Sequence, residues 1–269
     1  MPTSGDFVWQ NAPIMEIIAE VHWKLQSLDI FEGAAIDPFY ELLQNKLTAE
    51  MAANGYSIVE LRAPPDVPKE LFPHKVLRLF RRSPGTWPAF QIGPGVFTAN
   101  IAPPYKGWNE FRENIKSGLD MLLASHPSTE HLQYERLLLK YVNIFDESHG
   151  VDSPHEFIKN DLGLKVPLPN GVIELASGGE DSIHQIGHIR MPLASPIGAI
   201  GRMDWREVTH RGQQCVNVDI LIEIGQPSGI TGQDNIIAKF DAARATISNW
   251  FEALTSQKIQ PKLGEKISV

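Results

Sequence analysis

Cysteine is almost absent from this chain, because Cys215 is the only one among 269 residues. A single thiol excludes an intrachain disulfide and excludes a structural zinc site built on several cysteines. The residues after Cys215 alternate in polarity as a strand does, so we interpret it as a small core residue. A chain without disulfides is typical of a reducing compartment, and we expect a cytoplasmic protein.

The chain also lacks an excess of positive charge and any long apolar run. With 24 Lys and Arg against 32 Asp and Glu, the formal net charge is -8, which argues against generic nucleic-acid binding. No apolar segment approaches the ~20 residues of a membrane helix, and the start, MPTSGDFVWQNAP, lacks the features of a signal peptide. We therefore expect no membrane association. The 42% of hydrophobic residues suffice for one large core or two smaller ones.

Recognisable catalytic signatures are missing as well. The sequence contains no G-x-S-x-G nucleophile motif, and the Gly-rich segment 225–232 that precedes a predicted helix lacks the lysine of a phosphate loop. We expect neither a cofactor nor a metal, and we assign no catalytic residue.

The pattern of apolar residues predicts the secondary structure. Residues alternate in polarity from Met15 to Leu25, which predicts a half-buried strand. Asp37-Pro38 and Asn54-Gly55 are start and stop signals, so we predict a helix between them. The other predicted strands cover 75–82, 89–92, 96–101, 134–145, 172–176, 183–191, 199–205 and 215–224, and the other predicted helices cover 107–125, 153–162 and 233–255.

The order of these elements predicts an α+β fold. Most strands are joined by short hairpins, which favours a mainly antiparallel sheet with helices on one face. A strand, a helix, several strands and a helix occur twice in that order, so the chain is divided into halves at 1–130 and 131–269. The halves have similar helix patterns and little residue identity. Duplication and a single continuous domain are both compatible with this pattern.

The segment Phe90–Ile115 combines a hairpin, a rigid corner and an amphipathic helix. Gly93-Pro94-Gly95 predicts a turn, and Pro103-Pro104 ends the second strand. Trp108 and Phe111 begin a helical apolar stripe, which we expect to dock the helix on the sheet. These prolines and glycines thus have a sufficient structural explanation.

Several segments resemble a sporadically distributed family of uncharacterised prokaryotic proteins. The resemblance is carried by an API-x-E strand at 12–16, an Ile-Gly turn at 92–93, a PPY-x-GW-x-x-F corner and a Tyr-x-Asn strand at 141–143. The family often has an arginine after Tyr-x-Asn, where this chain has Ile144. The resemblance implies no reaction, cofactor or catalytic residue, and the patchy distribution suggests mobile elements beside defence or toxin modules. The residues assigned to the structural motif are Gly93, Asn100, Pro103, Pro104, Tyr105, Trp108 and Phe111.

The face of the sheet that points away from the helices is the candidate ligand-binding site. If Leu77 and Leu79 face the helices, the candidate residues on this face are Glu16, Glu20, His22, Arg78 and Arg82. Phe80 would join them, and the second half would add Arg136, Lys140, His188, Arg190, Asn217, Asp219 and Glu223. The alternative interpretation is a solvated face, or the surface where the two halves meet.

The preferred hypothesis is a non-enzymatic binding or protein-interaction module, whose polar sheet face contacts a protein partner or a small polar ligand. The alternative is an enzyme that acts on a nucleotide or another phosphorylated small molecule. Glu16, Glu20 and His22 would then be acid-base groups, with Arg78 and Arg82 holding the anion. A third hypothesis, single-stranded nucleic-acid binding through Arg78, Phe80 and Arg82, is disfavoured by the acidic total. The sequence leaves the oligomeric state open.

Overall fold

The computed structural model describes residues 7–27, 35–64, 68–165, 168–175, 177, 186–230 and 232–269. Its strands are β1 (Phe7–Trp9), β2 (Ile14–Trp23), β3 (Gln26–Ser27), β4 (Ala35–Ile36), β5 (Ile58–Leu61), β6 (Arg78–Arg81), β7 (Ala89–Gly93), β8 (Val96–Ile101), β9 (Tyr134–Phe145), β10 (Ile186–Pro192), β11 (Ala199–His210), β12 (Gln213–Ile230) and β13 (Lys266–Ser268). Its helices are α1 (Tyr40–Ala53), α2 (Trp108–Ser125), α3 (Pro154–Glu156), which continues as a π-helical turn (Phe157–Asp161), α4 (Asn170–Ile173) and α5 (Gln233–Ile259).

Nine strands form one antiparallel sheet in the order β10-β11-β12-β9-β2-β8-β7-β6-β5. The pairs β1-β13 and β3-β4 form two small separate ribbons. The predicted α+β class with a mainly antiparallel sheet is therefore confirmed. The sheet crosses the predicted boundary between residues 130 and 131, because β2 and β9 pair with each other at its centre.

The three long helices, α1, α2 and α5, bury one face of this sheet. Alternate residues of β2 and β12 point to that face and contribute to the core with the apolar stripes of the helices. Phe111 of α2 and Phe240 of α5 are fully buried there. The buried set from the strands and helices includes Ile17, Ala19, Val21, Val218, Ile220, Ile222, Leu43, Leu47, Leu122 and Ile247.

Asp37 connects three elements on the helix side. Its Oδ1 accepts a hydrogen bond from the Phe39 amide at 3.0 Å, just before α1 begins. Its Oδ2 accepts from the Trp23 indole at 2.9 Å and from the Gly95 amide at 3.2 Å. The side chain predicted to begin the helix thus also anchors the end of β2 and the β7-β8 turn.

Some elements differ from the predictions. Residues 170–173 form the short helix α4, so the strand predicted at 172–176 is wrong where the structure describes it. A helical turn there is closed by the bond from the Glu174 amide to the Asn170 carbonyl at 2.9 Å. Residues 183–185 of another predicted strand lie outside the described residues. Strands β1, β3, β4, β5 and β13 are not among the strands predicted from the sequence.

Candidate functional site

The sheet face opposite the three long helices, here called the open face, carries most of the predicted site residues. Antiparallel partners point to the same side of a sheet, so the strand register assigns each residue to a face. Glu16, Glu20 and His22 lie beside Val142, Leu138 and Arg136. The face continues through β12, β11 and β10, and it includes all seven predicted second-half residues: Arg136, Lys140, His188, Arg190, Asn217, Asp219 and Glu223.

The structure does not bring Arg78 and Arg82 to the open face. Arg78 pairs with Ile92, and Phe80 pairs with Phe90 of the core. Arg78 Nη1 donates to Thr48 Oγ1 of α1 at 3.3 Å. The Arg82 guanidinium lies 4.7 Å from the centre of the Tyr56 ring, which is also on the helix side.

The predicted grouping of both arginines with Glu20 and His22 is therefore wrong. Phe80 is fully buried in the core, while Leu79 points to the open face beside Gln91. The strand has four residues with apolar side chains on both sides, so its pattern does not define which side faces the helices. A shift of one residue reverses the direction of every side chain in a strand.

His22 is held between two charged side chains of the open face. Its Nε2 lies 2.7 Å from Glu20 Oε2, and its Nδ1 lies 3.0 Å from Arg136 Nη2. Arginine can only donate, so Nδ1 accepts and the hydrogen is assigned to Nε2, which donates to Glu20. The imidazole is 3% exposed. Both nitrogens are thus engaged, and the geometry gives His22 a role in ordering this surface.

Other polar groups of the open face also form bonds between strands. Asn100 of β8 donates to Glu16 Oε1 of β2 at 2.7 Å and accepts from Thr98 Oγ1 at 2.6 Å. Lys140 Nζ of β9 lies 2.7 Å from Asp219 Oδ2 of β12. Asn100, which the sequence assigned to a structural motif, therefore belongs to the open face. The face carries a pre-ordered network of paired charges.

His74 lies at the edge of this network, and its pKa makes the stability of the protein depend on pH. Its ring centre is 5.2 Å from that of His22, and its Nδ1–H donates to the Gly95 carbonyl at 3.1 Å. Burial lowers the pKa of His74, and the charge of Arg136 lowers it further, although the bond to Gly95 raises it.

We expect His74 to destabilise the folded protein in mild acid. Below about pH 6.5 the unfolded chain binds a proton at this site before the folded chain does, so stability falls as the pH falls toward the lowered folded pKa. His74→Asn should flatten this part of the curve of unfolding free energy against pH, while keeping a residue that tolerates the left-handed backbone at φ 55°. His131→Asn is the matched control, because that side chain is largely exposed. An unchanged slope in His74→Asn would contradict this assignment.

A second feature lies on the helix side, beside the corner that follows β8. A cleft of about 600 Å³, including its open mouth, runs between β1, the corner and α5. We call it the corner cleft. It is lined by Phe7, Val8, Trp9, Ala12, Ile14, Tyr105, Tyr141, Asn143, Arg244, Ile247, Ser248, Phe251 and Glu252, and Pro103 and Pro104 line an adjoining depression.

The corner cleft brings together three of the segments on which the sequence analysis based the expected family resemblance. Ala12 and Ile14, Tyr105, and Tyr141 with Asn143 come from distant parts of the chain. The sequence analysis assigned the corner to the scaffold and did not find the cleft. The signal that could have found it was the shared resemblance of these segments, but their proximity depends on the pairing of β2 with β9.

The remaining motif residues have structural surroundings. Gly93 and Val96 pair across the predicted Gly-Pro-Gly turn, where Gly95 has φ 72°. Trp108 donates from its indole to Asp241 Oδ1 of α5 at 2.7 Å, and its ring meets the Phe111 ring edge-on. Trp108 therefore connects α2 to α5 in addition to docking α2 on the sheet.

Comparisons of the chain with protein-family models, with curated proteins and with solved structures find no match. Among the described helices, none combines the length and the apolar character needed to cross a membrane. The open face and the corner cleft are therefore the two features from which a function can be inferred.

Proposed function

We propose that this protein is a non-enzymatic binding module whose open face is the contact surface for a protein partner. The observation that carries the proposal is that the open face combines apolar side chains with charges already paired to one another. Ile18, Leu138 and Val142 are half-buried among these pairs. Such a mixture of apolar and satisfied polar groups suits a protein interface.

The size of the open face supports a protein rather than a small ligand. Nine strands spaced by about 4.8 Å span roughly 38 Å, and six residues along a central strand span roughly 20 Å. This extent, on the order of 800 Å², is comparable to one side of a standard protein interface. Within it Leu79, Thr98 and Asn100 are buried, so the accessible surface comes from the half-buried and exposed side chains of β2, β9, β10 and β11. The cavities that we describe have walls on the helix side, whereas small ligands prefer concave sites.

The topology supports a duplicated origin for the scaffold, which we also propose. Among the strands of the nine-stranded sheet, the first strand of each half pairs with the last one of that half, β2 with β8 and β9 with β12, and a long helix follows. The antiparallel pairing of β2 with β9 suits a twofold relation between the halves. An experimental structure tests this: a twofold rotation should superpose β2, β8 and β7 on β9, β12 and β11, and a very different operation would contradict it.

Arginine substitutions on the open face should abolish partner binding. Leu138 lies between Glu20 and Glu223 across the strands, and Val142 lies between Glu16 and Asp219. Acidic neighbours can therefore accommodate an arginine at either position while its bulk blocks the interface. We expect Leu138→Arg and Val142→Arg to reduce retention of the partner at least about tenfold.

The measurement is quantitative mass spectrometry of proteins that co-purify from the native cells, followed by titration of the purified partner. Leu42→Arg is the matched control, because Leu42 is 51% exposed on α1 of the helix side. Melting temperatures of all variants establish that they fold. Equal retention of every partner by the Leu138, Val142 and Leu42 variants would exclude the open face as the interface.

A further inference from the structure

We infer that the corner cleft binds a compact, uncharged aromatic compound that carries a hydrogen-bond donor. This inference is independent of the proposed partner surface, because the cleft lies on the helix side of the sheet. It rests on the walls of the cleft, on an unsatisfied polar atom at its floor, and on the ordering of its mouth.

The walls of the corner cleft are mainly aromatic and apolar. Trp9, Tyr105 and Phe251 present half-buried rings, and Ile14 and Ile247 complete the apolar surface. The volume of about 600 Å³ includes the solvent at the open mouth, so the enclosed part of the cleft suits only a compact ligand. Flat rings stack favourably on such walls, and a charged ligand would lose its hydration there.

Asn143 is the most buried polar residue of the lining and marks the floor of the cleft. The residue is 1% exposed, and its Nδ2 donates to the Val218 carbonyl at 3.0 Å. This bond determines the orientation of the amide, since a carbonyl can only accept. Oδ1 is left buried, with no hydrogen-bond partner in the part of the chain that the structure describes.

An unsatisfied buried carbonyl is costly, and a ligand that donates to it would remove that cost. The acceptor therefore selects for an N–H or O–H group on the ligand. The aromatic walls select for a flat ring. Together they define a neutral ring compound with a donor at its edge, of which indole is a simple example.

Contacts at the mouth hold two of the aromatic rings in place. Lys266 Nζ lies 4.1 Å from the ring centre of Phe7 and 4.9 Å from that of Trp9. It also lies 2.9 Å from Glu252 Oε1, so α5 and β13 fix its position together. Ordered walls lose less entropy when a ligand binds, which favours a site formed before the ligand arrives.

The test compares indole with 1-methylindole, which has the same ring system without the N–H donor. Titrations of the 269-residue chain, followed by calorimetry and by ligand-detected NMR, should show saturable binding of indole. We expect 1-methylindole to bind about tenfold or more weakly, since it leaves Asn143 Oδ1 unsatisfied.

Two variants separate the floor from the walls. Asn143→Leu should lower the affinity for indole to that for 1-methylindole. Trp9→Ala should lower the affinities for both probes by a similar factor. Phe72→Ala, in a different cavity of the helix side, is the matched control and should leave both affinities unchanged. Melting temperatures show whether Asn143→Leu folds, and Trp9→Ala tests the site independently of it.

Three results would overturn the inference. The first is equal affinity for indole and 1-methylindole. The second is the absence of saturable binding of either probe, with an ordered water on Asn143 Oδ1 in a crystal structure. The third is an unchanged affinity for both probes in the Trp9→Ala variant.

Discussion

Replacing Gly93 with alanine is expected to cost about 3 kcal/mol or more of folding free energy. A Cβ atom at this position would overlap the carbonyl oxygen of Lys75 and lie 2.6 Å from its carbonyl carbon. Both are backbone atoms of the segment that leads into β6, so no side-chain rotation can relieve the overlap. Gly93 also closes the β7-β8 hairpin, and its displacement would disturb two strands of the sheet.

Chemical denaturation of Gly93→Ala and of the parent protein measures this cost. Gly171→Ala is the matched control, because a Cβ atom there would meet no other atom within 4 Å. Its stability should stay within about 1 kcal/mol of the parent, since alanine favours a helix over glycine. A Gly93→Ala protein as stable as this control would contradict the close approach of Lys75.

Replacing Trp108 with alanine is expected to cost about 3–5 kcal/mol, the range for large aromatic side chains removed from a core. Trp108 is 6% exposed and packs in the main core. Its loss would also remove the hydrogen bond that Trp108 donates to Asp241. Of the Asp241 partners described above and here, Arg112 at 3.2 Å would remain. Packing and electrostatic contacts between α2 and α5 would weaken together.

Trp108→Phe separates the two contributions. It retains much of the apolar volume and removes the indole N–H, so its cost should be smaller than that of Trp108→Ala. A double-mutant cycle with Asp241→Ala, measured by chemical denaturation, gives the coupling of the pair. Trp9→Ala is the matched control with a half-buried tryptophan, and it should cost less than Trp108→Ala. A coupling near zero would mean that the Trp108–Asp241 bond does not stabilise the helix pair.

Much of the fold is predictable from local patterns. The alternation from Val216 to Ile224 predicts which side of β12 packs against the helices, because a strand with one apolar face has a period of two. The apolar stripe around Phe240 predicts α5 in the same way, through the helical period. The small ribbon of β1 and β13 is less accessible to such reasoning, because its two short strands stabilise each other from opposite ends of the chain.

The candidate site is predictable in part, for a related reason. The strand with Glu20 and His22 is long and alternates clearly, and in the structure both side chains lie on the side of the sheet opposite the helices. In the four-residue strand β6, either Leu79 or Phe80 could face the core. Phe80, the larger side chain, is the one that packs there. Packing in the core that also contains Tyr56 and Phe90 decides this outcome, and local alternation contains no information about those residues.

The sequence by itself determined the α+β class, the helix-covered side of the long strands and the charged character of the open face. These properties depend on periodicity and composition, which act over a few residues. The tertiary structure alone decided the order of the strands, the positions of Arg78 and Arg82, and the convergence of Ile14, Tyr105 and Asn143 in one cleft. These depend on contacts between segments far apart in the chain, and such contacts form only when the whole sheet and its helices pack together.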